Sequence, residues 1–495
     1  MIQLDQHAWN TIGAYGNKII QTPNLDRISK EGVRFERAYC ATPYCSPSRA
    51  SIVTGQWPHT HKIIYNTGAN PRGITIDGLD GTQRIPEQML YDNGYFIEHF
   101  GKWHAGDKQR FSCYSESKHT YEFNKILAKK QHLEFAGIQI QEDEVHVKRH
   151  SPYGIVMKKH NYDAYKKAEN DGLPSTMLLM GKDTSPVEQN IWYHLADHCS
   201  EFIARNKNQQ FMVTYSAAPP HPQHIVPDPY YSMYNPDDIL LSPSFYHENH
   251  PYTNTDSFIR GKYLGEGGTR EMLRCYYAQI TMMDEAIGKI LNSLDNSGIL
   301  NKTLVVFLSD HGNLNGSHGN LNDKVITSFY EELARIPLMM RLPGVIPAGK
   351  TIQACANHVD IAPTILDYLG MNIPQEMQGK SLKPLIEGAE QDGTTARTAW
   401  CERPGGRMVT NGNYKYCYYY QGGIEREELF DLHNDPFEMK DLSYDANYVF
   451  DKEKMKALLE KHLFDTGDMS LRELLLTGGP VGNRKEIVPG LHHWS

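Results

Sequence analysis

Tyr44-Cys45-Ser46-Pro47-Ser48-Arg49-Ala50-Ser51, continuing as Ile52-Val53-Thr54-Gly55-Gln56, is the stretch on which the reading of this chain turns. Proline fixes φ and keeps the residue before it extended, which places Cys45 at a chain turn rather than deep in a helix. The run from Ser48 to Val53 reads as the first turns of a helix. The free N–H groups at such an end favour an anion near Cys45. A lone cysteine in a proline turn is ordinarily a buried structural thiol. What surrounds it elsewhere in the chain decides between that reading and a chemical one.

Moving outward, short apolar runs end in polar clusters. Met1–Leu4 reads as a buried strand with Asp5 and Gln6 at its C-terminal end, where the ligand crevice of an open α/β sheet lies. On position alone, Asp5 reads first as a strand-end residue starting a turn. Thr22-Pro23-Asn24-Leu25-Asp26 reads as an N-cap followed by proline at the first helical position. Trp57-Pro58-His59-Thr60-His61 closes the opening stretch, and Asn66 stands 21 residues after Cys45, either a turn residue before Gly68 or a donor. A strand over Gly94–Phe100 enters Gly101-Lys102-Trp103-His104-Ala105-Gly106. A helix over 190–205 and a strand over 210–216 lead to Pro219-Pro220-His221-Pro222. Tyr276, Ile280, Met283, Ile287 and Ile290 mark one face of a helix over 272–294, a core stripe. The continuous apolar run 303–308 reads as a buried parallel strand and ends in Ser309-Asp310-His311-Gly312-Asn313. Asp323-Lys324 and Tyr330-Glu331-Glu332 follow.

With 495 residues the chain is too long for one simple core, and two domains are expected. A net charge of −9 argues against general nucleic-acid binding. There is no apolar run of the ~20 residues that span a bilayer, and no basic-then-apolar leader follows Met1. The sequence as it stands reads as cytoplasmic, or as periplasmic or secreted if a leader precedes Met1. The eight cysteines show no CxxC pair, so free thiols are expected. His146, Lys148, Arg149, His150, Lys158, Lys159, His160, Lys166 and Lys167 make a local basic cluster within 107–186. It reads as a lid meeting an anionic substrate or as a solvated face.

The Cys45-x-Pro47-Ser48-Arg49 core resembles the signature of the type I sulfatases of the alkaline phosphatase superfamily. The Gly101–Gly106, Pro219–Pro222 and Ser309–Asn313 elements resemble further segments of that family, in the same order. The resemblance implies an α/β fold: a large mixed, mostly parallel central sheet flanked by helices, with a smaller C-terminal α+β domain carrying an antiparallel sheet. The corresponding division is a catalytic domain over 1–388, with 107–186 as a substrate-lid insertion, and a C-terminal subdomain with tail over 389–495.

The resemblance further implies that a separate maturase oxidises Cys45 to formylglycine. It implies one divalent cation held by Asp5, Gln6, Cys45, Asp310 and His311. Gln6 and His311 depart from the all-oxygen, more acidic sets of many members, so calcium is expected with manganese as the alternative. The implied catalytic residues are Cys45, Arg49, Lys102, His104, His221 and Lys324. Asn66, Lys102, His221 and Lys324 are the implied substrate-binding residues. One hydroxyl of the hydrated aldehyde attacks sulfur, and His104 deprotonates the other to expel sulfate. His221 or Lys324 protonates the leaving group, and Arg49 orients the nucleophile. The expected partners are a sulfated small molecule or glycan, the maturase and a further copy of this chain, with no nucleic acid. Three functions stand: a sulfatase, acting on carbohydrate sulfates by family resemblance; a phosphonate monoester or phosphodiester hydrolase built from the same parts; and a non-catalytic binder of anionic glycans with Cys45 unmodified.

Overall fold

The computed structural model describes residues 1–69, 75–114, 141–147, 154–173, 175–247, 256–324, 328–390, 392–393, 397–421 and 424–468. Its central sheet has seven strands. They are β1 (Ile2–Asp5), β2 (Val33–Phe35), β3 (Phe96–Gly101), β4 (Phe211–Pro220), β5 (Val305–Ser309), β6 (Leu338–Arg341) and β7 (Lys350–Ile352). Their order is β7-β2-β6-β5-β1-β4-β3. Only β6 runs against its neighbours; every other pairing is parallel.

β1 lies inside the sheet. Ile2 is in register with Tyr215 on one side and Phe307 on the other, and Leu4 with Ala217 and Ser309. A strand covered on both faces carries apolar residues at consecutive positions, as Val305–Leu308 do. Phe307 packs into the core on one face of the sheet, Val306 and Leu308 into the core on the other. Each such buried side chain contributes about 1.5–3 kcal/mol of hydrophobic stabilisation. The register aligns the C-terminal ends of β1, β3, β4 and β5 along one edge, and the polar clusters leave the sheet there.

The helices cover the faces. α1 (Pro23–Glu31) buries Leu25 and Ile28. α2 (Cys45–Thr54) is buried along its whole length. α3 (Ile191–Asn206) and α4 (Asp256–Asn296) pack on the β4 side. The stripe from Tyr276 to Ile290 is core, as its spacing predicts. α4 starts well before residue 272 and breaks at Gly265, whose φ of 60° interrupts the helical backbone.

Part of the 107–186 segment forms a second sheet. Its strands Glu144–Val147, Ile155–Lys158 and Met180–Asp183 are joined by His224–Pro227, which follows His221 closely in the chain. The parallel pairing of His224 with Met180 ties the segment to the loop that carries His221. Two lysines of the basic cluster are paired here. Lys158 meets Asp143 and Glu144, and Lys166 meets Glu169. Lys148, Arg149 and His150, like the chain beyond 468, lie outside the described residues.

Toward the C-terminus, β8 (Ala399–Arg403), β9 (Gly406–Thr410), β10 (Tyr414–Gln421) and β11 (Ile424–Asp431) form an antiparallel sheet in chain order. The alternation along β10 splits its side chains. Tyr416 and Tyr418 pack with α5 (Val449–Thr466), while Cys417 and Tyr419 face the main core. Lys415 is fully buried and paired with Glu331 and Glu438, which joins this sheet to the 331–334 turn. The eight cysteines are free and buried. Among the described residues, no helix is long and apolar enough to cross a membrane.

Candidate active site

Cys45 is the first residue of α2, next to the N-cap Tyr44, and its side chain is buried. Pro47 is accommodated because a first-turn residue needs no intrahelical N–H partner. The anion-favouring N–H groups expected at this end are mostly used up. Asn66 Oδ1 accepts from the Ser46 N–H at 3.0 Å, Pro47 has none, and Ser48 N–H already bonds the Tyr44 carbonyl. Asn66 thus caps a helix whose own N-cap side chain makes no capping bond. With its oxygen engaged, its Nδ2 is the end left to donate.

Three buried groups converge on the Cys45 sulfur from the ends of β1 and β5. His311 Nε2 lies 3.2 Å from Sγ and Asp5 Oδ1 3.8 Å. Ligand atoms of Asp5, Cys45, Asp310 and His311 all lie within 4.8 Å of one another. Arg49, in the second turn of α2, sorts the carboxylate oxygens. Its Nη2 is 3.0 Å from Asp5 Oδ2 and its Nε 2.9 Å from Asp310 Oδ2. Both Oδ2 atoms are held by Arg49. Oδ1 of Asp310 accepts the Gln6 and His311 backbone N–H groups, each at 2.9 Å. His311 Nδ1 is 2.9 Å from the Gly312 carbonyl, a contact it makes as a donor, so the neutral ring would turn its Nε2 lone pair toward the cluster. Gly312 permits the approach: a Cβ there would stand 1.9 Å from the Glu332 carbonyl oxygen.

This donor set fits a divalent cation. It offers two buried carboxylates and an imidazole nitrogen turned inward. The Gln6 carboxamide adjoins them, its Oε1 3.3 Å from Lys324 Nζ, which is itself 3.5 Å from Cys45 Sγ. The charges match. Burial and the Cys45 charge push the Asp5 carboxyl up, but Lys102, His221 and Arg49 together hold it below the usual range. Burial and the Asp5 charge raise Asp310. Two buried carboxylates that repel are a favourable place for a cation.

A cationic rim faces this acidic floor. Lys102 Nζ pairs with Asp5. Its carbonyl accepts from Arg49 Nη1 and Ser216 Oγ, each at 2.8 Å. Gly101 lets β3 and β4 meet there at φ 102°; a Cβ would stand 2.1 Å from the Ser216 carbonyl oxygen. His104 lies in the left-handed region at φ 54°, and its side chain helps to lower the Cys45 thiol. His221 Nε2 lies 3.4 Å from Lys324 Nζ, and its Nδ1 faces the Pro222 carbonyl. Burial opposes ionisation of the Cys45 thiol, but Lys102, Lys324 and His311 outweigh it and hold the thiol well below its ordinary range. The arrangement places a nucleophilic position between an acidic floor and a rim of Lys102, His104, His221 and Lys324, which suits in-line attack on an anionic ester.

The structure brings together all eleven residues singled out in the sequence: Asp5, Gln6, Cys45, Arg49, Asn66, Lys102, His104, His221, Asp310, His311 and Lys324. Others escaped notice. Ser48 Oγ bonds the Asp310 carbonyl, and His358 joins Ser48 Oγ at 2.9 Å to the Ser309 carbonyl at 2.9 Å. Together they fasten α2 to the end of β5. Burial drives His358 down to about 3, so it is a neutral spacer. Ser216 was findable as a polar residue ending an apolar strand; His358, in a segment read as structural, carried no comparable signal.

The sulfatase family profile matches residues 1–371, and the profile described as N-sulphoglucosamine sulphohydrolase, C-terminal, matches 316–465. An N-acetylglucosamine-6-O-sulfatase of Bacteroides thetaiotaomicron is 26% identical, over 92% of this chain and 84% of that protein. An arylsulfatase of Clostridium perfringens is 27% identical over 98% of both chains. In fold, the phosphonate monoester hydrolase of Agrobacterium radiobacter superposes with a TM-score of 0.69 at 22% identity, over 98% of this chain and 99% of that one.

Proposed function

The chain belongs to the sulfatase family and is a sulfuric ester hydrolase; on that basis we propose that it cleaves a carbohydrate sulfate monoester, with Cys45 converted to formylglycine as the nucleophile. What carries the reading is the position of Cys45 Sγ, 3.2 Å from His311 Nε2 on the acidic side and 3.5 Å from Lys324 Nζ on the basic side. The similarity to an N-acetylglucosamine-6-O-sulfatase supports a sugar as the alcohol part.

Asp5, Gln6, Asp310 and His311 would hold the divalent cation that sulfatases use, together with the modified Cys45. When bound, the ion polarises an ester oxygen and lowers the pKa of the attacking hydroxyl. Calcium is our expected ion, with manganese the alternative that the His311 nitrogen favours. Arg49 keeps both aspartates oriented. Lys102, Lys324, His221 and the Asn66 Nδ2 bind the sulfate oxygens as charge shifts during attack.

The hydrated aldehyde brings two hydroxyls. One, giving up its proton to solvent, would form a bond to sulfur as the ester C–O–S link breaks at sulfur, and His221 or Lys324 would give the departing alkoxide its proton. His104 then takes the proton of the second hydroxyl, the bond from carbon to sulfate breaks, and the aldehyde returns. Water then adds to the aldehyde and restores both hydroxyls, so over the cycle water and ester become alcohol and hydrogen sulfate. A single-hydroxyl side chain has no such internal release and would need outside water.

Gln6 and His311 also favour a second reading, hydrolysis of phosphonate monoesters, because they make the cation site less acidic than an all-carboxylate set. The test has two parts. Mass spectrometry of the Cys45 peptide after co-expression with a maturase should find the aldehyde in place of the thiol. A purified enzyme should then release sulfate from sulfated amino sugars faster than it cleaves an aryl phosphonate. A peptide that remains a thiol sinks the proposed nucleophile and favours a binder of anionic glycans. Faster phosphonate turnover selects the second reading.

A further inference from the structure

Gln6 is held at every point except the end of its side chain. Its backbone lies at φ 62°, its N–H donates to Asp310 Oδ1 at 2.9 Å, and its carbonyl accepts from the Tyr276 hydroxyl at 2.7 Å. What remains free is which end of the carboxamide faces the Cys45 cluster. The two ends are nearly equal in size, so packing cannot choose between them. Only a partner that accepts without donating, or donates without accepting, separates oxygen from nitrogen. Asp323 is such a partner: its Oδ1 takes the Gln6 Nε2 at 2.5 Å. Oε1 is then the end 3.3 Å from Lys324 Nζ, which is itself 3.5 Å from Cys45 Sγ.

Asp323 is itself built for the task. It is buried, lies in the left-handed region at φ 68°, and its carbonyl accepts the Leu314 N–H. Its second oxygen faces Arg260 Nη2 at 3.7 Å, from a side chain only 6% exposed. The carboxylate is therefore charge-balanced from behind while its front oxygen holds the amide.

We propose that Asp323 is a positioning residue that sets Gln6 with its oxygen toward the cation site, so that cation affinity depends on a residue that is not a ligand. This rests on the reading of Gln6 as a cation ligand given above. Without Asp323 only Lys324, 3.3 Å from Oε1, opposes a turn of the amide that brings its –NH₂ end to the site, where it repels a cation. The effect is specific to the pair. Replacing Gln6 by glutamate sets two carboxylates against each other. Replacing Asp323 by asparagine in that background restores a donor for one oxygen of the introduced carboxylate and leaves the other oxygen for the cation.

The experiment is calorimetric titration of the chelator-stripped full-length protein with Ca²⁺ and with Mn²⁺. The proteins are the wild type, Asp323→Ala, Gln6→Ala, Gln6→Glu and the two doubles, with melting curves as the control for folding. Asp323→Ala should weaken binding by ~10-fold or more, the range for residues that orient a metal ligand. In the Gln6→Ala background the same change should have under ~2-fold effect, since the cycle isolates the pair. Gln6→Glu with Asp323→Asn should bind at least as tightly as the wild type. Asp323→Ala that binds as the wild type does, or that loses as much in the Gln6→Ala background, overturns the proposal. A wild-type protein that binds neither ion overturns the cation reading itself. If the alanine variant does not fold, Asp323→Leu carries the same comparison.

Discussion

Arg49 Nη2 lies 3.0 Å from Asp5 Oδ2, with the arginine side chain 3% exposed and the aspartate fully buried. Its Nε makes the matching contact to Asp310. Removing one partner of a buried ion pair leaves an uncompensated charge, which costs about 3–5 kcal/mol. Arg49→Ala leaves two such carboxylates side by side. Urea unfolding of the chelator-treated protein should show a loss of at least that size, and added Ca²⁺ should recover part of it. An unchanged midpoint without metal would mean that Arg49 does not hold the aspartates.

Asn66 has two separable duties. Its oxygen caps the Ser46 N–H at 3.0 Å, and its nitrogen is the end assigned to substrate. Asn66→Ala loses both, costing ~1 kcal/mol of stability for the cap and also raising KM. Asn66→Asp keeps the acceptor, and its negative charge suits a helix N-terminus, so its melting temperature should stay at or above that of the wild type. It should nevertheless lose turnover, because a carboxylate repels the sulfate ester. Equal activity in Asn66→Asp and wild type would remove Asn66 from substrate binding and leave it a cap.

These two residues show what the sequence made legible. Asp5, Lys102, His221 and Asp310 each follow an apolar run, because strands of one parallel sheet end together along one edge. A break from apolar to polar therefore marks the site wherever it occurs. The Asn66 cap was not legible, since it crosses from a loop to a helix start and satisfies a donor that proline placement leaves beside it. The contact of Asp323 with Gln6 spans 317 residues and depends on left-handed backbone at both ends, which no periodicity records. The pairing of Lys158 was not legible for a related reason: Glu144 faces it across two strands and Asp143 stands just before them, 14 and 15 residues away in the chain.

His59, in the short helix Pro58–His61 after α2, links that helix to the C-terminal sheet and to α5. Its Nδ1 lies 2.7 Å from Glu402 Oε1 and its Nε2 3.1 Å from the Thr466 carbonyl, so the doubly protonated ring satisfies both acceptors. Burial opposes that charge, but the hydrogen bond and charge of Glu402, with Asp468 nearby, raise its pKa above the ordinary value of 6.5. A group raised on folding stabilises fully below its unfolded pKa and loses that contribution as pH rises through the folded value. Wild-type stability should therefore carry a falling contribution above ~6.5 that is absent from His59→Gln. Parallel urea curves for the two proteins between pH 6 and 9 would isolate it. A difference that does not change across that range would rule out the charged form.

Asp310 offers the sharpest test of the cation site. Its Oδ1 accepts two backbone N–H groups, from Gln6 and His311, and its Oδ2 accepts from Arg49. Alanine would orphan all three donors and confuse binding with folding. Asp310→Asn keeps an acceptor oxygen of the same shape for the two N–H groups while removing the charge. It also relieves the repulsion by which Asp5 and burial raise the Asp310 carboxyl. The chelator-treated variant should consequently lose little stability, within ~1–2 kcal/mol of the wild type, because a repelling buried charge goes together with one charged hydrogen bond. The cation site loses one of its two carboxylates, so Ca²⁺ binding by calorimetry and sulfate release should fall together. If Asp310→Asn kept full turnover with its cation lost, the ion would be structural. If it kept both, the converging oxygens of Asp5 and Asp310 would not be the ligands, and the cation would have to be sought elsewhere.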